Sequence, residues 1–322
     1  MSTQIEDQSE AVLRDRMIAS RLELVREFAE VFNTVCDLNI EDLASNPARY
    51  CRVRQIQYAC TEYEKYRKNV LEHLNTLLED ALSSTVWLGC PSIMAFHESD
   101  CITVVDTRNE SSAFIPLNKQ SSEKALEASG MLSNAFFLIQ LWPGWACLSK
   151  HVGQIVTLKN LPPGTNTMRS YTLSMLPCTV YTDLVNNPIQ LAETVVHEAA
   201  HNQLNEYIGN PSSLPQEHTW WSPWKQKYRP AFGILHAVYA FSSVVKFLIY
   251  LYQSEICDEH CHHQLQRRIL REWHRLNEAQ QSFEEIAKLV DDNILQMYLL
   301  SHFTHTKQLI NKLSEEKIDG NL

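Results

Sequence analysis

Residues 186–211 read NNPIQLAETVVHEAAHNQLNEYIGNP, and their spacing decides how the rest of the chain is understood. Asn187 is a good N-cap and Pro188 stands at the first helical position, where a missing N–H costs nothing. Gly209 follows Tyr207 and Ile208 as a stop signal. The stretch between predicts a helix over 188–208, about six turns long. Val195, Val196, Ala199, Ala200 and Leu204 supply its packing face. Within it, His197, Glu198 and His201 form the pattern H-E-x-x-H. Two histidines four residues apart share one face of a helix and can hold one ion between them.

Upstream of this helix lie short β-like runs. GQIVTLKNL (153–161) and RSYTLSMLPCTVYTDL (169–184) precede it, the second alternating through Tyr171, Leu173 and Met175. CITVVDT (101–107) and SAFIPLN (112–118) form an earlier pair, split by polar residues. Helical spacing marks 5–35 and 50–82, with a loop expected over LNIEDLASNPARY (38–50), and another helix is stopped by Pro143 and Gly144. From residue 231 onward the chain reads as helix. The expectation is an α+β fold, predominantly helical: a small sheet beside the H-E-x-x-H helix, wrapped by N- and C-terminal helices. Residues 1–120 are an N-terminal helical region with a short β-rich part, and residues 121–322 carry the metal-binding region.

The composition excludes several classes. Only 8 glycines occur in 322 residues, with neither a dinucleotide-binding nor a P-loop pattern. A formal charge of −10 with no basic block argues against nucleic acid or anionic membrane as partner. The polar, acidic N-terminus has no signal-peptide core. Nine cysteines at irregular spacing do not make a disulfide framework, so a reducing cytoplasm is the expected compartment. AFGILHAVYAFSSVVKFLIYLY (231–252) is long enough to span a bilayer, but His236 and Lys246 interrupt it, and a buried core helix is expected.

A metal site needs a third protein ligand. The metzincin extension requires glycine at 204 and histidine at 207, where this chain has Leu204 and Tyr207. A thermolysin-like site takes a later glutamate, and Glu217 in a proline-bounded loop is the nearest. His236, inside the apolar helix, is the preferred third ligand; Glu217 and His218 remain alternatives. A lone histidine on an apolar helix is ordinarily a core residue, and only the waiting pair gives His236 a further reading.

LAETVVHEAAH (191–201) followed by WSPWKQKYRPAFGILHAVYAF (221–241) resembles the HExxH-motif peptide-modification family, described as iron- and 2-oxoglutarate-dependent peptide β-hydroxylases. The shared elements are His197 and His201, the turn Ser222 to Trp224, Arg229 with Pro230, and Gly233 to His236. The match covers about residues 186–240; Lys225 and Ala237 depart from the usual arginine and glycine without removing a candidate ligand. The resemblance implies Fe(II) held by His197, His201 and His236, with 2-oxoglutarate as cosubstrate. It also implies a ribosomally made precursor peptide as substrate, hydroxylated at a side-chain Cβ. The distal carboxylate of 2-oxoglutarate wants a bidentate cation, for which Arg229 is best placed; its plain alternative is a surface salt bridge. From the residues themselves zinc fits as well as iron. In a zinc peptidase Glu198 is the general base; in an oxygenase it supports the ligands or the substrate.

Three further features carry ordinary alternatives. Trp220, Trp221 and Trp224 either line a peptide groove or anchor a loop. CDEHCHH (257–263) reads as a polar helix end rather than a zinc site, and QRRILREWHR (266–275) as a solvated basic face.

Overall fold

The β-like runs before the motif helix are strands, but the second, read as one run over 169–184, folds back on itself as two. A computed structural model describes residues 2–31, 39–62, 94–97, 101–105, 112–116, 123–158, 168–209, 214–215, 217–254 and 256–319. Its main sheet has four strands, β1 (Met94–His97), β4 (Gln154–Thr157), β5 (Ser170–Leu173) and β6 (Leu176–Thr182), in the order β1-β4-β6-β5. β1, β4 and β6 run parallel, and β5 returns antiparallel to β6 through a two-residue connection. β2 (Cys101–Val105) and β3 (Ser112–Pro116) form a separate antiparallel pair. The chain is predominantly helical around these strands, as the sequence implies. The part of the expected second helix from residue 63 to 82 lies outside the described residues.

The chain divides into two compact units, residues 17–203 and residues 1–16 with 204–322. In the first, every residue of β6 is buried, as befits a central strand covered on both faces. One face carries the later turns of α1 (Ser2–Val31) with α2 (Ile40–Ser45) and α3 (Pro47–Glu62). Val25, Phe28, Leu43, Cys51, Val53 and Ile56 pack there on Val156, Leu173, Leu176 and Tyr181. Burying a Val, Leu, Ile or Phe side chain contributes about 1.5–3 kcal/mol. Cys178 has φ 60, a left-handed bend that resets the alternation. Beyond the bend Thr179 meets Cys51 Sγ at 3.0 Å. Gly153 permits the close approach of α3, since a Cβ there would lie 2.2 Å from the Pro47 carbonyl oxygen.

The loop expected over 38–50 is a correction: it holds α2 and the start of α3. Asn39 Oδ1 accepts from Asp42 N–H at 3.1 Å. Asn46 Oδ1 accepts from Ala48 and Arg49 N–H, with Pro47 as the first residue of α3. α4 (Glu123–Leu141) stops before Pro143, and α5 (Trp145–Leu148) leads through one 3-10 turn into β4.

In the second unit, α7 (Ala231–Gln253) is apolar all round and correspondingly buried. It is long and apolar enough to cross a membrane, yet 89% of its most apolar window is buried inside the protein. α8 (Glu259–Lys288) and α9 (Asn293–Asp319) pack along it, as does a hairpin of β7 (Thr219–Ser222) and β8 (Lys227–Pro230). The expected turn from Ser222 to Trp224 lies at the bend of this hairpin. α8 buries Leu265, Ile269, Leu276, Ala279 and Phe283 on one stripe. Lys246, which interrupts α7 chemically, is buried too, its Nζ donating to Glu6 Oε1 at 2.7 Å.

Candidate metal centre

The motif helix, α6, runs from Pro188 to Ile208, the span its caps predict. Asn187 Oδ1 accepts from the N–H groups of Ile189 and Gln190, each at 3.1 Å, and Gly209 takes φ +63 after the last turn. Leu191, Ala192, Val195, Val196, Ala199 and Ala200 are fully buried, which fixes the rotation of the helix about its axis. With that face inward, His197 and His201 fall on the half-buried flank, reachable by a small ligand.

The two imidazoles meet. Their Nε2 atoms lie 3.0 Å apart, with ring centroids at 4.5 Å and ring planes at 90°. That separation suits an N–H···N hydrogen bond between neutral rings. It equally suits two donors to one ion: nitrogens ~2.1 Å from a metal and at right angles to each other lie about 3.0 Å apart, against about 3.4 Å at a tetrahedral angle. The donor pair is compatible with one shared ion as well as with the direct hydrogen bond. Among the described residues no group of three or more His, Cys, Asp and Glu side chains stands close enough to hold an ion.

Glu198 turns inward and is only 2% exposed. Ser170 Oγ, at the start of β5, donates to its Oε1 at 2.7 Å. Ser170 is in turn placed by its neighbour. Arg169 binds Asp183 at the far end of β6, with Nη2 to Oδ1 at 2.7 Å, and the Arg169 N–H donates to Oδ2 at 2.7 Å. One turn along α6, Asn202 Nδ2 donates to the carbonyls of His151 and Thr179. The helix is thus docked on the sheet by polar groups on either side of His201. Neither Ser170 nor Asn202 carries a motif signal; spacing shows only that Glu198 and Asn202, four residues apart, share a face of α6.

The remaining expected site residues belong to the second unit. Arg229 is on β8 opposite Trp220, and its guanidinium lies over Gly233, where a Cβ would be 3.0 Å from Cζ. Among the described residues no carboxylate pairs with it. His236 is 7% exposed on α7, its ring 4.0 Å from that of Phe232. Glu217 and His218 are exposed, and His218 packs edge-on against Trp220 at 6.1 Å.

The tryptophans divide. Trp224 is an anchor, stacked on Phe241 at 4.9 Å and donating its Nε1–H to Glu272 at 2.8 Å. Trp221 reaches the surface, where it meets Tyr228 across the hairpin at 5.7 Å and donates to Glu278. Glu272 was not expected: it is fully buried, and Arg268 and Arg275 of the sequence's basic patch bind its carboxylate. That patch is in part an ion-pair cage rather than a solvated face. No protein-family model matches the chain, and no curated protein matches it.

Proposed function

We propose that the chain is an Fe(II)- and 2-oxoglutarate-dependent oxygenase that hydroxylates a side-chain Cβ of a ribosomally made peptide. The observation that carries this reading is the 3.0 Å approach of two half-buried imidazole Nε2 atoms, their ring planes at 90°, on a sheet-docked helix. Iron with 2-oxoglutarate would supply the oxidising power for an unactivated C–H bond. His197 and His201 would hold the metal, with His236 as the third ligand. Arg229, planar and without a carboxylate partner among the described residues, suits the distal carboxylate of the cosubstrate.

Glu198 favours this reading over a zinc peptidase. A general base must reach a metal-bound water. Here the carboxylate is buried and engaged by Ser170, which suits a group that steadies the helix beside the ligands. The chain's own work in this account is positional: Ser170 and Asn202 hold α6, and α6 presents the two imidazoles.

The test is anaerobic reconstitution with Fe(II), followed by oxygen and 2-oxoglutarate, reading succinate release. Wild type should release succinate, and His197→Ala, His201→Ala and His236→Ala should not. Peptide cleavage by zinc-loaded protein, lost in Glu198→Gln, with no succinate from the iron form, would replace the oxygenase by a peptidase.

A further inference from the structure

The hairpin of β7 and β8 and the middle of α8 form a surface whose charge is opposite to that of the chain. Trp224 donates to Glu272 at 2.8 Å and Trp221 to Glu278 at 2.7 Å, so two indoles staple the hairpin to successive turns of α8. Residues 219–230 and 260–277 together hold seven Lys or Arg and one carboxylate, in a chain whose formal charge is −10. That carboxylate, Glu272, is buried and already shared. Arg268, Arg271 at 3.4 Å and Arg275 at 3.0 Å all reach its Oε1. Its single charge is divided among three guanidiniums, and Arg271 and Arg275 stay 59% and 35% exposed. Among the described residues neither has another carboxylate, and the exposed Lys225 and Lys227 have none. On the same hairpin Trp221 and Tyr228 meet at 5.7 Å and remain 37% and 68% exposed. Arginine and large aromatics on one surface, with acidic groups withdrawn from it, make the composition of a protein-binding face.

We propose that this surface docks an acidic stretch of a peptide, with carboxylates on Arg271, Arg275, Lys225 and Lys227 and an apolar side chain against Trp221 and Tyr228. Guanidinium groups take carboxylates through paired, parallel hydrogen bonds, and clustered arginines are a recurring reader of acidic motifs. Lysines add charge without a fixed geometry, which suits a stretch recognised by its acidity more than by its exact sequence. That the peptide is the substrate of the oxygenase rests on the reading above; the docking surface itself does not. Single-stranded nucleic acid also combines charge with rings that stack on aromatics. The chain's −10 charge opposes a polyanion that extends past the patch, and so favours a short acidic peptide.

The test takes full-length, metal-free protein and two fluorescein-labelled peptides, one repeating Asp-Leu-Glu-Phe and the other Lys-Leu-Arg-Phe, read by fluorescence anisotropy. The acidic peptide should bind, weakening ~10-fold between about 0.05 and 0.3 M salt, and the basic one should not. Lys227→Glu and Arg271→Glu should each weaken binding ~5-fold or more, and Tyr228→Ala ~3-fold. Lys288→Glu makes the same change in net charge at an exposed position on the last turn of α8 and should leave binding unaltered. No binding of the acidic peptide, equal weakening by Lys288→Glu, or tighter binding of a short oligothymidylate would overturn the docking surface. Since no metal is present, the result is separate from succinate release. Binding without succinate keeps the surface and removes the oxygenase, and succinate without binding does the reverse.

Discussion

His302 offers the sharpest test of how the second unit is held together, because its protonation is opposed from several sides. It is 6% exposed on α9, and its Nδ1 lies 3.1 Å from Lys246 Nζ on α7 and 2.8 Å from Glu6 Oε1 on α1. Its Nε2 is 3.2 Å from Ser243 Oγ, and the rings of Tyr239 and Tyr298 pack beside it. His305 Nδ1 reaches the other oxygen of Glu6 at 2.8 Å. Burial and the Lys246 ammonium push His302 down from 6.5 to about 4, against the pull of Glu6 and with a smaller push from His305. Burial alone would raise the Glu6 carboxyl. The hydrogen bonds from His302 and His305 and the charge of Lys246 hold the carboxyl below its usual range all the same. The direction that stands for His302 is the neutral ring, with Lys246 carrying the positive charge that faces Glu6.

A histidine depressed on folding binds its proton more readily when unfolded. Its contribution is therefore complete above 6.5 and is lost as the pH falls towards 4. At ~1.4 kcal/mol per pH unit, that window costs about 3 kcal/mol. Urea unfolding of wild type and His302→Gln at pH values from 7.5 to 4 measures it. The wild type should lose about 3 kcal/mol relative to the variant across the window, at no more than ~1.4 kcal/mol per pH unit. A flat difference, or a wild type that gains on the variant as the solution is acidified, would refute the buried neutral ring.

Other substitutions test the contacts separately. Ser170→Ala removes the hydrogen bond to buried Glu198 and should cost about 2 kcal/mol in urea unfolding, with metal affinity falling ~10-fold in a Co(II) titration. Glu272→Ala leaves Arg268, Arg275 and the Trp224 indole without their acceptor and should cost about 3 kcal/mol. Glu272→Gln, which still accepts from Trp224, should cost about half as much in the same fluorescence-monitored melt. Gly153→Ala drives a Cβ into the Pro47 carbonyl and should lower Tm by about 5 °C or more. Gly130→Ala, on α4 with nothing within 4 Å of the new Cβ, should raise stability slightly, by ~0.5 kcal/mol.

What could be read in advance follows from which forces are local. The α6 caps are sequence-local, so its ends fall at 188 and 208 as expected. The apolar surround of α7 likewise announces a buried helix even with Lys246 in it. The β character of 169–184 follows from alternation through Tyr171 and Leu173, but its reversal at Ser174 and Met175 and the left-handed φ of Cys178 do not. α2 was legible and overlooked: Asn39 and Asn46-Pro47 are cap signals of the same kind as Asn187-Pro188. The β7–β8 hairpin was masked by Pro223 and Pro230, which sit in its turn and at its end. Arg229, Ser170 and Glu272 take their meaning from partners that only the fold supplies. The histidine pair is visible from spacing alone, whereas its 3.0 Å approach depends on both rotamers.

The central claim is that His197 and His201 jointly hold one divalent ion. Anaerobic titration of metal-free protein with Co(II), followed by its visible absorption, addresses it directly. One ion per chain is expected, with octahedral-type weak bands, and a loss of about 100-fold or more in affinity in both His197→Ala and His201→Ala. Binding that survives either substitution, or no ion bound by the wild type, would contradict it and leave α6 a structural helix whose two histidines share a hydrogen bond.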